Sequence, residues 1–197
     1  MTKKLEKTID LGVIELCSEV YVSDPCYDAG TWCQAFVGGL KPGKYYGFMS
    51  IANFGKECWQ GIRVTNLWIA HKDNIKSYPT KKVNGAHIGV DSGSAGIFDK
   101  DYYEKFHPIH DNNDENDEKQ QWYDRQFSLC YDYDLDGNPT EEYDFNTGKA
   151  IKREPAQGAA IDQKGVVSFS GFGDGGYDLY EGKNNKGEII SLRIKFI

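Results

Sequence analysis

The chain has no apolar run of roughly eighteen residues, so no segment reads as a membrane-spanning helix. No apolar stretch follows the opening Met1-Thr2-Lys3-Lys4-Leu5-Glu6-Lys7, so no secretory signal is legible and the expected location is the cytoplasm. Cysteine is sparse. Cys17, Cys26, Cys33, Cys58 and Cys130 form no C-x-x-C pair, which leaves a zinc ribbon or a thioredoxin-like site without its ligands. The odd count argues for free thiols in a reducing compartment. Positive charge is in the minority, 23 Lys and Arg against 30 Asp and Glu, for a net charge of −7. An acidic chain is repelled by phosphate backbones, so duplex nucleic acid is not an expected partner, and neither is a membrane. No nucleophile–base pair, metal-ligand spacing or phosphate-binding P-loop is legible, so no cofactor and no metal is expected.

The acidity is local. Residues 99–145 hold fifteen acids and four bases, while the rest of the chain holds fifteen acids and nineteen bases. The same segment contains Trp122, Tyr123 and Phe127, aromatics that need a surface to pack on. Residues 100–156 therefore read as an acidic, aromatic-rich insertion on a β core, within one domain that spans 1–197. Inside the insertion, Asp111–Glu118 carries no apolar anchor and predicts a loose, dispensable loop.

Strand signals dominate elsewhere. Ile190, Leu192, Ile194 and Phe196 alternate with polar residues, which predicts one buried and one wet face, and Glu188–Ile197 reads as a core strand. Tyr45, Gly47, Met49 and Ile51 alternate in the same way. Ile62–Ala70 is a longer run with mixed facing, as in a central strand. Gly12–Leu16, Val20–Val22, Val166–Ser170 and Tyr177–Tyr180 complete the set, divided by glycine- and asparagine-rich turns. Helices are expected at Phe98–Phe106, where Asp99 is an N-cap candidate, and at Glu118–Phe127. The fold expected is mainly β, an antiparallel sandwich or partly open barrel with one or two short helices.

Three motifs carry possible chemistry. Asp132, Asp134, Asp136 and Gly137 match the opening of a calcium loop, but the closing twelfth position is Tyr143, so the stretch reads as an acidic turn. Gly171-Phe172-Gly173-Asp174-Gly175-Gly176 matches G-x-G-x-x-G, yet a strand follows instead of a helix. It predicts a hairpin with a close-approach loop and no dinucleotide site. In Gly89–Asp99, two aspartates flank a loop of small residues in which the Ser92 and Ser94 hydroxyls can meet a ligand.

Taken in order, Val22–Tyr27, Leu40–Tyr45, Arg63–Ile69, Gly89–Asp99 and Ser170–Tyr177 give the chain a family resemblance. It resembles a bacterial and phage family known only as a domain of unknown function, number 4241, over most of its length except about 100–160. The resemblance implies that Asp24, Asp91, Asp99, Asp174 and Tyr177 are signature polar positions. It implies no activity, cofactor or substrate.

The function expected is a non-catalytic binding module of bacterial or phage origin, an accessory protein that holds a small anionic molecule or a protein partner. A homo-oligomer is compatible with this. The alternative is an aspartate-based, metal-assisted hydrolase, which needs its carboxylates within a few ångströms of one another. The candidate ligand-binding residues are Asp24, Cys26, Asp91, Ser92, Ser94, Asp99, Phe172, Asp174 and Tyr177. They are expected to form one pocket from loops Asp91–Asp99 and Gly171–Tyr177, with Asp24-Pro25-Cys26 as a third wall. Tyr177 and Phe172 would be its aromatic sides.

Overall fold

Alternating apolar positions stack into two antiparallel sheets in the computed structural model, which describes residues 6–54, 62–107, 117–130, 143–144, 149–150 and 157–197. The six-stranded sheet runs β1 (Lys7–Leu16), β4 (Gly43–Asn53), β5 (Ile62–His71), β13 (Ile189–Lys195), β12 (Gly175–Lys183), β6 (Lys81–Val90). The five-stranded sheet runs β10 (Gly158–Ile161), β11 (Gly165–Phe169), β7 (Ser94–Asp99), β2 (Glu19–Ser23), β3 (Ala35–Gly38). A separate pair joins β8 (Tyr143–Asp144) to β9 (Lys149–Ala150). The helices are α1 (Lys100–Phe106) and α2 (Asp117–Cys130). This is the open antiparallel β architecture that the alternation predicts. The acidic run over 111–116 and the Asp132–Asn138 turn lie outside the described residues.

The inner faces meet in one apolar core. Ile14, Tyr45, Met49, Leu67, Ile69, Leu192 and Ile194 from one sheet pack over Val20, Val22, Ile97 and Val166 from the other. Each such side chain, fully buried, contributes roughly 1.5–3 kcal/mol. At Gly47 a Cβ would stand 2.4 Å from Val166 Cγ1 of the facing sheet, so any larger residue would have to displace that side chain.

A second apolar cluster covers the outer face of the five-stranded sheet. Tyr21, Phe98, Ile161 and Val167 point outward and are buried beneath Tyr103 of α1 and Trp122 of α2. Asp99 caps α1, accepting from the Tyr102 N–H at 3.4 Å. The Trp122 indole donates to Tyr102 Oη (2.8 Å), whose hydroxyl donates to Asp162 (2.7 Å). Tyr102, Tyr103, Phe106 and Trp122 of the acidic segment thus find their surface on the back of this sheet.

Two expectations are corrected. The outward face of β13 is not wet, since Ser191 is fully buried and Arg193 is 8% exposed. The chain after the 3-10 turn Lys72–Asn74 folds back over it. The Ser77 and Ser191 hydroxyls bond at 2.9 Å, and Arg193 Nη1 donates to Tyr78 Oη at 2.7 Å. The guanidinium also lies over the Tyr78 and Tyr180 rings. Nor is the glycine-rich segment a hairpin, because β11 pairs with β10 and β7 while β12 pairs with β13 and β6. Gly171–Asp174 is a crossover between sheets.

Candidate functional site

Strand polarity gathers the candidate residues at one rim. β6 ends at Val90 opposite Gly175, where β12 begins, and β7 begins at Ser94 opposite Phe169, where β11 ends. The β6–β7 and β11–β12 crossovers therefore join the same two strand pairs at the same end and must run side by side. Ser170 N–H donates to Gly93 carbonyl at 3.0 Å, and a Cβ on Gly93 would stand 4.0 Å from Gly173 Cα. β2 ends beside the start of β7, with Ser23 opposite Gly96, so the 24–34 loop reaches the same rim. Gly89 N–H donates to Cys33 carbonyl at 2.8 Å and ties that loop to β6.

Asp24 organises the rim from inside. It is fully buried. Its Oδ2 accepts from the N–H groups of Asp91 (2.8 Å) and Ser92 (2.7 Å). Its Oδ1 accepts from the Cys26 N–H (2.9 Å) and the Ser92 hydroxyl (2.7 Å). Four donors, three from the distant β6–β7 crossover and one from its own loop, saturate this carboxylate, which compensates the cost of burying its charge. Ser92 and Ser94 bond through their hydroxyls at 2.8 Å. Tyr103 extends the network from α1, its hydroxyl meeting the carbonyls of Tyr27 (2.6 Å) and Asp24 (3.2 Å). Gln34 bonds Ser23 Oγ at 2.8 Å and Tyr103 Oη at 3.2 Å. Tyr123 of α2 adds to this side: burial and the nearby charge of Asp24 push its hydroxyl up in pKa, while its interaction with Ser92 pulls it down.

These surroundings fix the chemistry available. Burial first, and then the charges of Asp24 and Asp91, push the Cys26 thiol far above its ordinary range, so it is held protonated and unreactive. Tyr27 donates to Asp91 Oδ2 at 2.6 Å, and burial together with that bond holds its phenol protonated. Tyr177 closes the second crossover, its hydroxyl donating to the carbonyls of Ser170 (2.7 Å) and Gly173 (2.5 Å). Its ring stands edge-on to Phe196 at 5.0 Å and packs against the core. Asp174 is exposed on the same crossover. Among the described residues no three His, Cys, Asp or Glu side chains are placed to share a metal ion.

One candidate falls elsewhere. Ser94–Asp99 is strand rather than loop, so Asp99 stands at the far end of β7 from the rim, roughly 16 Å from Ser94 at the rise of an extended strand. There it accepts from the Cys17 N–H at 2.8 Å and caps α1. Two exposed aromatics matter at the rim. Phe172 is 59% exposed and leans on Phe54, and Trp32 is 90% exposed in the 24–34 loop. Trp32 carried no periodic or motif signal. A cavity of about 350 Å³ between α1, α2 and the turn at Asp162 is lined by none of the candidate residues.

The family model described as Protein of unknown function (DUF4241) matches residues 86–194, more than half of the chain. The chain belongs to that family. The DUF4241 match spans both crossovers, and with them Asp91, Ser92, Ser94, Phe172, Asp174 and Tyr177, as well as Asp99 on the far side. Asp24 and Cys26 precede the matched residues, although Asp24 binds the backbone inside them. No curated protein and no solved structure matches this chain.

Proposed function

We propose that this protein is a non-catalytic binding module whose rim holds a partner protein with a basic and apolar surface. The observation that carries the reading is the contrast within the rim. Its buried carboxylate is saturated by internal donors, while Trp32 and Phe172 stand in solvent. A large apolar side chain at 90% exposure loses free energy unless something covers it, and Trp is the residue type most enriched among interface anchors.

Charge selects the class of partner. The loops 24–34, 91–93 and 170–174 contain no Lys, Arg or His; of their four aspartates Asp24 is buried and Asp28 pairs with Lys119 at 2.6 Å, while Asp91 and Asp174 are exposed. The Asp91 and Ser92 N–H groups, which could have cradled an anion, are already spent on Asp24. A basic protein surface suits this rim better than the small anionic molecule expected from the loops alone. The hydrolase alternative gains no support, because Asp24 is saturated, Asp99 caps a helix at the other end, and the Cys26 thiol is held protonated.

The test is affinity capture from cells of the source organism with wild type and with a Trp32→Ala/Phe172→Ala double variant of unchanged melting temperature. A partner retained by wild type and lost by the variant is the expected result. Equal capture by both proteins would overturn the reading.

A further inference from the structure

Four strands terminate the two sheets, and three of them carry devices that blunt a free edge. β1 and β10 are the edges on one side of the sandwich, and the Glu15 N–H of β1 donates at 2.7 Å to the carbonyl of Gln163 in the turn that follows β10. β1 also has a bulge at Asp10/Gly12 and carries Lys7, Asp10 and Glu15. β6, on the other side, carries exposed Lys81 and Lys82, and its pairing with β12 is irregular between Asp178 and Tyr180. A charged or irregular edge resists pairing with a second chain.

β3 carries no charge and no bulge; the residues that flank it are tied to the other sheet, Cys33 to Gly89 of β6 and Gly39 and Lys41 to Ile189 of β13. It ends the five-stranded sheet with β2 as its one strand partner among the described residues, and its pairing runs from Glu19↔Gly38 to Val22↔Ala35 without a bulge. No charged residue and no proline occurs from Ala29 to Leu40, in a chain that is 27% charged. Phe36, 51% exposed, stands on this edge and packs on Tyr21 at 5.3 Å. An uncharged, regular edge with an exposed aromatic is a template for another strand.

We infer that β3 is a self-association edge, and that two copies of this chain pair β3 to β3 antiparallel about a two-fold axis. A strand edge is complementary to itself under such an axis, so both copies use one patch. Charge favours the arrangement. β3 begins at the acidic rim and runs away from it, so antiparallel pairing sends the rims of the two copies to opposite ends and brings no aspartate against another. The uncharged segment lets the edges meet without like charges in register. The two Phe36 rings then lie on the same outer face beside the axis, where an aromatic pair adds to the backbone bonds. The two five-stranded sheets become one ten-stranded sheet. The strand is short, so the dimer is a weak one, and its formation depends on concentration.

The experiment is sedimentation equilibrium of the full chain from micromolar to several hundred micromolar, with wild type and Phe36→Lys. Wild type is expected to shift from monomer to dimer across this range, and Phe36→Lys to stay monomeric at ten-fold higher concentration or more. Hydrogen exchange of wild type at low and high concentration supplies a second reading that does not depend on the variant folding. The Ala35–Gly38 amides are expected to slow on concentration while those of β6 do not. A wild type that stays monomeric throughout, or a dimer that Phe36→Lys leaves intact with no slowing in β3, would overturn the inference. A monomer that pairs this edge with a strand of another protein counts as the former outcome. The rim reading is untouched by either result, because the double variant that tests it leaves Phe36 in place.

Discussion

Asp24 and Trp32 belong to one loop and are treated in opposite ways. The charged residue is fully buried and the largest apolar one is 90% exposed. Ordinary partition would reverse them. Asp24 stays inside because the β6–β7 crossover, far away in sequence, brings it two N–H groups and a hydroxyl, and its own loop adds the Cys26 N–H, enough donors to replace water. Trp32 stays outside because the loop is pinned around it, by Cys33 to β6 and by Gln34 to Tyr103. The inner side of the rim therefore serves folding, and in the function proposed above the outer side serves recognition. Substitutions should separate the two cleanly.

The largest effect is expected at Asp24. Asp24→Ala leaves the Asp91, Ser92 and Cys26 N–H groups without their acceptor. It should cost about 4 kcal/mol, and lower the melting temperature by roughly 10 °C in a chain of this size, readable by calorimetry. A loss near zero would mean that the rim is held by something other than this carboxylate.

His107 gives the next effect, as a pH dependence. It is fully buried against Tyr103 and Trp122, and burial pulls its pKa down to about 4 from the ordinary 6.5, with Asp28 opposing and Lys119 assisting. The unfolded chain takes up this proton below pH 6.5 and the folded chain only below 4. Stability is thus fully present above 6.5 and falls as pH drops through that window, by about 3 kcal/mol for this group. Denaturant unfolding from pH 7 to 4 should show this component in wild type and not in His107→Gln.

Tyr103→Phe keeps the ring stack and removes the hydroxyl that ties α1 to the 24–34 loop. A loss of about 1.5 kcal/mol is expected, with faster exchange of the loop amides as the local sign. The smallest effect on stability belongs to Trp32→Ala/Phe172→Ala, within about 0.5 kcal/mol of wild type, because neither side chain is buried. A larger loss would make these residues part of the fold and weaken the contrast with Asp24.

Long strands were legible because their apolar residues repeat every second position, as in β4 and β13. β3 and β10 were not, since Ala35–Gly38 and Gly158–Ile161 are too short to show a period. The first half of β6, Lys81–Ala86, hid because an exposed edge strand has little apolar face to display. Among the candidate residues, the grouping of Asp91, Ser92 and Asp24 could be suspected from their turns. The separation of Asp99 could not, because Ser94–Phe98 reads equally well as a small-residue loop.

By itself the sequence determined the β character, the positions of the helices and the acidic balance, all of which follow from local periodicity, capping and composition. Tertiary structure decided the rest. It placed Gly171–Asp174 between sheets, because strand partners are chosen by long-range pairing and not by the turn that joins them. It covered the polar face of β13 with Ser77 and Tyr78, because a segment returning from the 3-10 turn brings matching hydroxyl and ring partners. It also turned Asp24 inward and left Trp32 outside, because three of the four donors that make a buried carboxylate tolerable exist only once the β6–β7 crossover is in place.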